Sequence, residues 1–127
     1  MTTPKLTAAT LFKGTGSLLM KYEFDGPVPL SDTFLVGTFG RSADGNTIRQ
    51  YGIKFLDGAE IAYFVFDHNA AKQTNLQDIT PTIEDNLILA PYSDDHFKEL
   101  GEGATFDAYV NARGHDTQTE FPVTVVS

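Results

Sequence analysis

Three histidines, His68, His96 and His115, are the side chains of this sequence best suited to hold a metal or move a proton. Each stands beside a carboxylate, as Asp67-His68, Asp95-His96 and His115-Asp116. Imidazole is the commonest metal ligand and titrates nearest neutral pH, and a carboxylate neighbour orients it. Their spacing offers little: no two stand four apart as on a metal-binding helix, and all three fall at turns or loops. A divalent site would need them to converge at one end of the fold. Oxygen-rich turns at Asp44-Gly45-Asn46, Asp57–Glu60, Asp67–Asn69, Glu84–Asn86 and Asp94-Asp95 supply hard-cation ligands. No Asp-x-Asp-x-Asp-Gly loop is present, and ordinary turn chemistry accounts for each of them. No cofactor is expected.

Covalent catalysis has less support still. The chain lacks cysteine, which removes thiol nucleophiles, zinc–thiolate sites and disulfides together. Ser17, Ser31, Ser42, Ser93 and Ser127 lie outside any Gly-x-Ser-x-Gly elbow. Gly14-Thr15-Gly16 and Gly101-Glu102-Gly103 do not run into the strand–loop–helix with lysine that cradles phosphate. A pair of carboxylates acting on sugars is set by distance in the fold and stays open. The expectation leans away from an enzyme.

The aromatic residues of the middle of the chain are the stronger clue. In Thr33–Phe39, Phe34, Val36 and Thr38 alternate with Leu35, Gly37 and Phe39. In Ala59–Phe66, Ile61, Tyr63 and Val65 alternate with Ala62, Phe64 and Phe66, so both stretches are apolar on two faces. A two-layer sandwich needs one apolar face per strand. The other must be covered by the chain itself, a partner or a ligand. Phe34, Val36, Tyr51, Phe55, Tyr63, Phe64 and Phe66 are the candidate binding surface, or the lining of a pocket.

The elements that would position these residues read as strands. Leu6–Leu11 and Ser17–Phe24 come first. Thr33–Gly40, Thr47–Leu56 and Ala59–Asp67 form a meander joined by the Asp-Gly turns at Asp44-Gly45 and Asp57-Gly58, where type I′ geometry is expected. A polar loop over Asn69–Thr80 precedes a strand at Thr82–Ala90. Ser93, Asp94 and Asp95 start one short helix that Gly101 ends, with Phe97 and Leu100 on its buried side. At the C-terminal end, Phe106, Ala108, Val110 and Ala112 share one face, with Tyr109 out of phase. After Gly114, Thr119, Phe121, Val123 and Val125 share the next. Pro122 places that last strand at a sheet margin.

Composition agrees. The chain of 127 residues, 41% of them apolar, fits one domain spanning 1–127. The expected fold is all-β, an antiparallel sandwich of about eight strands with one short helix near 93–100, and a small β-barrel is the alternative. The net charge is −8. Residues 1–56 hold six Lys/Arg and four Asp/Glu, giving +2, and residues 57–127 hold three and thirteen, giving −10. This argues against nucleic-acid binding, which needs a cationic surface. No signal peptide and no apolar run of membrane-spanning length is visible. The expectation is a cytoplasmic or virion-associated protein.

Two stretches resemble a known family. Pro4-Lys-Leu-Thr-Ala8, with Gly16–Tyr22 and Gly26-Pro27, resembles the first two strands of fibronectin type III domains. Leu100–Gly114 resembles that family's Leu-x-Pro-Gly-Thr-x-Tyr-x-Val-x-Val-x-Ala run and the hairpin after it. Tyr22 would take the place of the family's core tryptophan, and Phe106 that of its corner tyrosine. The resemblance implies an immunoglobulin-like sandwich that acts as a binding or structural module and carries no catalytic residues. The expected function is therefore a non-enzymatic module that binds a protein partner or self-associates. The alternative is a cyclase-like barrel around a small molecule.

Overall fold

A computed structural model describes residues 4–14, 16–28, 33–56, 59–76, 80–93, 95 and 97–126, with backbone alone for 59–61. The strands are β1 (Leu6–Lys13), β2 (Ser17–Phe24), β3 (Phe34–Arg41), β4 (Ile48–Leu56), β5 (Ala59–Asp67), β6 (Lys72–Asn75), β7 (Thr82–Glu84), β8 (Leu87–Ser93), β9 (Thr105–Ala112), β10 (His115–Pro122) and β11 (Thr124–Val126). They form a five-stranded sheet, β11-β1-β2-β8-β7, and a six-stranded sheet, β10-β9-β3-β4-β5-β6. The chain is thus an all-β sandwich rather than a closed barrel. Every pairing is antiparallel except β1 with β11. Among the described residues, no helix is long and apolar enough to cross a membrane.

The inner faces follow from alternation. Leu18, Met20, Tyr22 and Phe24 of β2 meet Phe34, Val36, Tyr51, Ile53 and Phe55 of the opposite sheet in one apolar cluster. Aromatic rings fill much of it: Tyr51 stacks on Phe97 at 4.2 Å, and Tyr92 meets Tyr51 edge-on at 5.5 Å. Two buried hydroxyls bind across the sheets. Tyr22 and Thr38 share a hydrogen bond of 2.8 Å, and Tyr63 donates to the Pro91 carbonyl.

Four local expectations are corrected. The region 69–80 contains β6, which extends the meander beside β5. The single strand expected over Thr82–Ala90 is a hairpin, since Asp85-Asn86 turns the chain between β7 and β8, with φ of 23° at Asp85. The two-turn helix reduces, among the described residues, to a 3-10 turn ending at Lys98–Leu100, while Ser93 completes β8. Helix nucleation is costly over so few residues, and a single turn suffices to bury Phe97 and Leu100. Asp94 and His96 lie outside the described residues. The β3–β4 turn has positive φ at Gly45 alone, so it is not type I′. Asp44 closes it by accepting from Ser42 and the Asn46 amide, and these bonds hold its carboxyl below the usual range.

The C-terminal hairpin departs from simple alternation. Phe106, Ala108, Val110 and Ala112 do face the core. Along β10 the register shifts twice, between Asp116 and Gln118 and again between Gln118 and Phe121, with Glu120 at φ 55°. Gln118 therefore points inward. Its Oε1 accepts from the Leu6 amide at 2.7 Å, and its Nε2 donates to the Leu6 carbonyl at 3.3 Å. Thr119 is left outside, not on the face of Phe121, because each bulge inverts the side-chain phase.

Candidate functional site

The bulged β10 raises a wall beside the outer face of the six-stranded sheet. Between it and β4 lies an open groove of about 320 Å³. Register places its parts. Leu35, Phe39 and Arg41 come from β3, Gln50 from β4, Asp107 and Tyr109 from β9, and Asp116, Thr119 and Glu120 from β10.

Its floor is set by two glycines. Gly37 of β3 pairs with both Gly52 of β4 and Tyr109 of β9, and Gly52 pairs with Phe64 of β5. Lacking side chains, they let the Tyr109 and Phe64 rings approach the backbone closely. A Cβ at Gly37 would fall 2.5 Å from the Tyr109 hydroxyl oxygen, and one at Gly52 would fall 2.6 Å from the Phe64 ring. Tyr109 and Phe64 are thereby buried on what would otherwise be a solvent face. The doubly apolar middle of the chain is covered, in large part, by its own aromatic rings.

A polar chain runs across the floor. Gln50 Nε2 donates to the Tyr109 hydroxyl at 2.6 Å, and Gln50 Oε1 lies 3.0 Å from His68 Nε2. That pattern assigns the proton of the neutral imidazole to Nε2. His68 rests edge-on to Phe66 at 4.8 Å and 5.7 Å from Phe39, which is itself 5.0 Å from Tyr109. Partial loss of solvent lowers the His68 pKa, against the opposing pull of Asp67. Burial pushes the Tyr109 phenol up to about 12, tempered by its hydrogen bond to Gln50.

The rim is charged. The Arg41 guanidinium carbon lies 5.6 Å over the Phe39 ring centroid, while Nη1 meets Asp107 Oδ2 at 2.5 Å. Both partners are about a third exposed, so the pair contributes at most about 1 kcal/mol to stability and serves mainly to hold the side chains in place. Asp116 accepts from Asn111 Nδ2 at 3.0 Å.

The seven aromatic and aliphatic candidates divide between the two faces. Phe34, Val36, Tyr51, Phe55 and Tyr63 are core residues, each no more than 2% exposed. The expectation that they form an exposed contact surface is corrected: they point between the sheets and pack in the core. Phe64 is buried on the outer face, and Phe66 is half-exposed there beside His68. Of the metal candidates, His68 joins the aromatic strip, His115 is exposed at the start of β10, and His96 lies outside the described residues. Among the described residues, no three His, Asp or Glu side chains converge to hold a metal ion.

Arg41, Gln50 and Asp107 escape the sequence analysis, whereas Phe39 belongs to one of its two apolar faces, Tyr109 breaks the alternation of its strand and Gly37 the apolar run of its own. A second polar centre also escapes it. Arg49, nearly buried, binds Glu99 Oε2 at 2.6 and 3.1 Å, Asp67 Oδ1 at 2.9 Å and Asn69 Oδ1 at 2.9 Å. It ties β4 to the turn after β5 and to the 3-10 turn, and its donors are consumed by structure. No protein-family model, characterised protein or solved structure matches the chain.

Proposed function

We propose that the chain is a non-enzymatic interaction module that engages a protein partner through the outer face of its six-stranded sheet. The observation that carries this reading is the groove floored by Leu35, Phe39 and Tyr109, with Tyr109 pinned by Gly37 and Gln50. A rigid aromatic floor loses little conformational entropy on binding, which is the property of interface anchors. Arg41 at the rim adds a residue type enriched at interfaces. A photo-crosslinking residue at Leu35, compared with one at Lys21 on the other sheet, tests it in cells of the source organism. A defined adduct from position 35, lost in Phe39→Ala and absent from position 21, supports the proposal. Equal labelling from both positions, or none from either, overturns it.

Self-association is a second reading, favoured by a row on the outer side of the five-stranded sheet. There Val126, Phe12, Leu19 and Pro91 stand side by side on β11, β1, β2 and β8, with Phe12 37% and Val126 42% exposed. Sedimentation of the chain and of Phe12→Ser decides it. A dimer that Phe12→Ser dissociates favours self-association, and a monomer at high concentration removes it.

A further inference from the structure

We infer that the groove takes a basic segment of the partner, with one lysine or arginine side chain lying in the groove and its charge between Asp116 and Glu120. This rests on the interaction reading above and gives that partner its chemistry.

The groove already displays the arrangement once. Arg41 lies across the Phe39 face and sets its guanidinium against Asp107, combining a cation–π contact with a charge-assisted hydrogen bond. Its other half keeps the carboxylates without a cation. Tyr109 is buried and closes the floor there, and Asp116 and Glu120 stand at the wall above it. Among the described residues, neither carboxylate has an ion-pair partner. One arginine against Asp107, Asp116 and Glu120 leaves the lining at 1 − 3 = −2.

Charge at longer range has the same sign. The strands that build this wall belong to the half of the chain that carries −10, within a total of −8. Such a field draws a cationic partner and repels an acidic one, and nucleic acid with it. The openness of the groove along the sheet, with Leu35 continuing the apolar floor, suits a side chain still attached to a peptide and leaves a free amine with unused surface. The bulges and Pro122 spoil β10 as a template for an added strand, so the segment binds through side chains across the sheet rather than as a further strand.

Two labelled peptides of equal length, one alternating lysine and alanine and one alternating glutamate and alanine, are titrated into the full chain by fluorescence anisotropy. The lysine peptide is expected to bind, more weakly as salt rises, and the glutamate peptide is not. Asp116→Asn with Glu120→Gln should weaken binding about tenfold and flatten the salt dependence. The same charge change on the other sheet, Glu84→Gln with Asp85→Asn, should leave affinity within about twofold, since distant exposed charges are screened. Matched melting temperatures establish that each variant is folded. The inference is overturned if the two double variants act alike, if the glutamate peptide or a neutral oligosaccharide occupies the groove instead, or if spermine binds as tightly as the peptide. Absence of lysine-peptide binding also overturns it. If the Phe39-dependent crosslink at position 35 then persists, only the partner's charge is wrong. If the crosslink fails too, the interaction reading falls with it.

Discussion

Gly37 and Gly52 face each other across β3 and β4, and the bare backbone they share is the bed on which Tyr109 and Phe64 lie. Aromatic side chains normally stand off a sheet. Here two neighbouring positions without Cβ atoms let both rings come down onto the backbone, which closes an apolar face without a third layer. The Tyr109 hydroxyl is thereby delivered to Gln50.

Alanine at the two positions should therefore cost unequal amounts. At Gly37 the added methyl would strike the Tyr51 carbonyl as well as the Tyr109 ring, and backbone does not yield. At Gly52 it meets the far end of the Phe64 ring, which swings aside more readily. Gly37→Ala is expected to lose about 3 kcal/mol and Gly52→Ala about 1 kcal/mol, the two ends of the usual range for overpacking. Urea unfolding at unchanged m-value measures both, and equal losses would contradict this account of the floor.

The tyrosines set the alkaline limit. Burial raises the phenol pKa of Tyr22, Tyr51, Tyr92 and Tyr109 above the ordinary value of 10, for Tyr109 to about 12. In the unfolded chain they ionise near 10, so above that pH the unfolded state releases protons the folded state keeps. The stability held below pH 10 is thus lost as pH rises toward the folded values. Absorbance at 295 nm should rise in one steep step coincident with loss of circular dichroism. A gradual rise near pH 10 while the fold persists would show the phenols to be accessible.

Arg49 should matter more than either acid it binds. Its side chain is 11% exposed, against 32% for Asp67 and 56% for Glu99. Arg49→Ala removes every bond at once and is expected to cost about 2–3 kcal/mol. Glu99→Gln acts on a mostly solvated partner and should cost under about 1 kcal/mol. Asp67 keeps the amides of Asn69 and Ala70 in either variant. A double-mutant cycle over positions 49 and 99 gives their coupling directly.

His68 gives the outer face a mild sensitivity to acid. Its folded pKa lies below the ordinary 6.5 because the ring is partly desolvated. Between those two values the unfolded chain takes up the proton first, so stability declines as pH falls from about 6.5 through the folded pKa. His68→Gln should lack that portion of the slope. Parallel stability profiles for the chain and the variant, from neutral pH down to about 5, would rule it out.

Period-two alternation groups residues by face but does not say which face is inside. That is why Phe34, Val36, Tyr51, Phe55 and Tyr63 are recognisable as notable in the sequence and yet belong to the core, while Phe64 and Phe66 of the same set lie outside. The strands β2 and β5 are legible to the residue, because long apolar alternation bounded by turn residues is a strong signal. The four-residue β6 is all polar and exposed, and its pairing comes from its position after β5. The groove is hidden for a related reason. Its wall depends on bulges in β10, and local sequence carries no sign that Gln118, and not Thr119, turns inward to Leu6.

The bond between Leu6 and Gln118 joins residues 112 apart, and beyond it β11 crosses over to lie beside β1. The first strand is therefore satisfied by the last. During synthesis, β1 can pair with β2 early, but its other edge stays bare until residues 124–126 have emerged. Closure over so long a loop is slow, which places this chain with the β proteins that fold in milliseconds to seconds. Throughout that interval the open side of β1, with Phe12 upon it, is available to any neighbouring nascent chain. Pairing with β11 thus removes an edge of β1 at which another chain could add a strand.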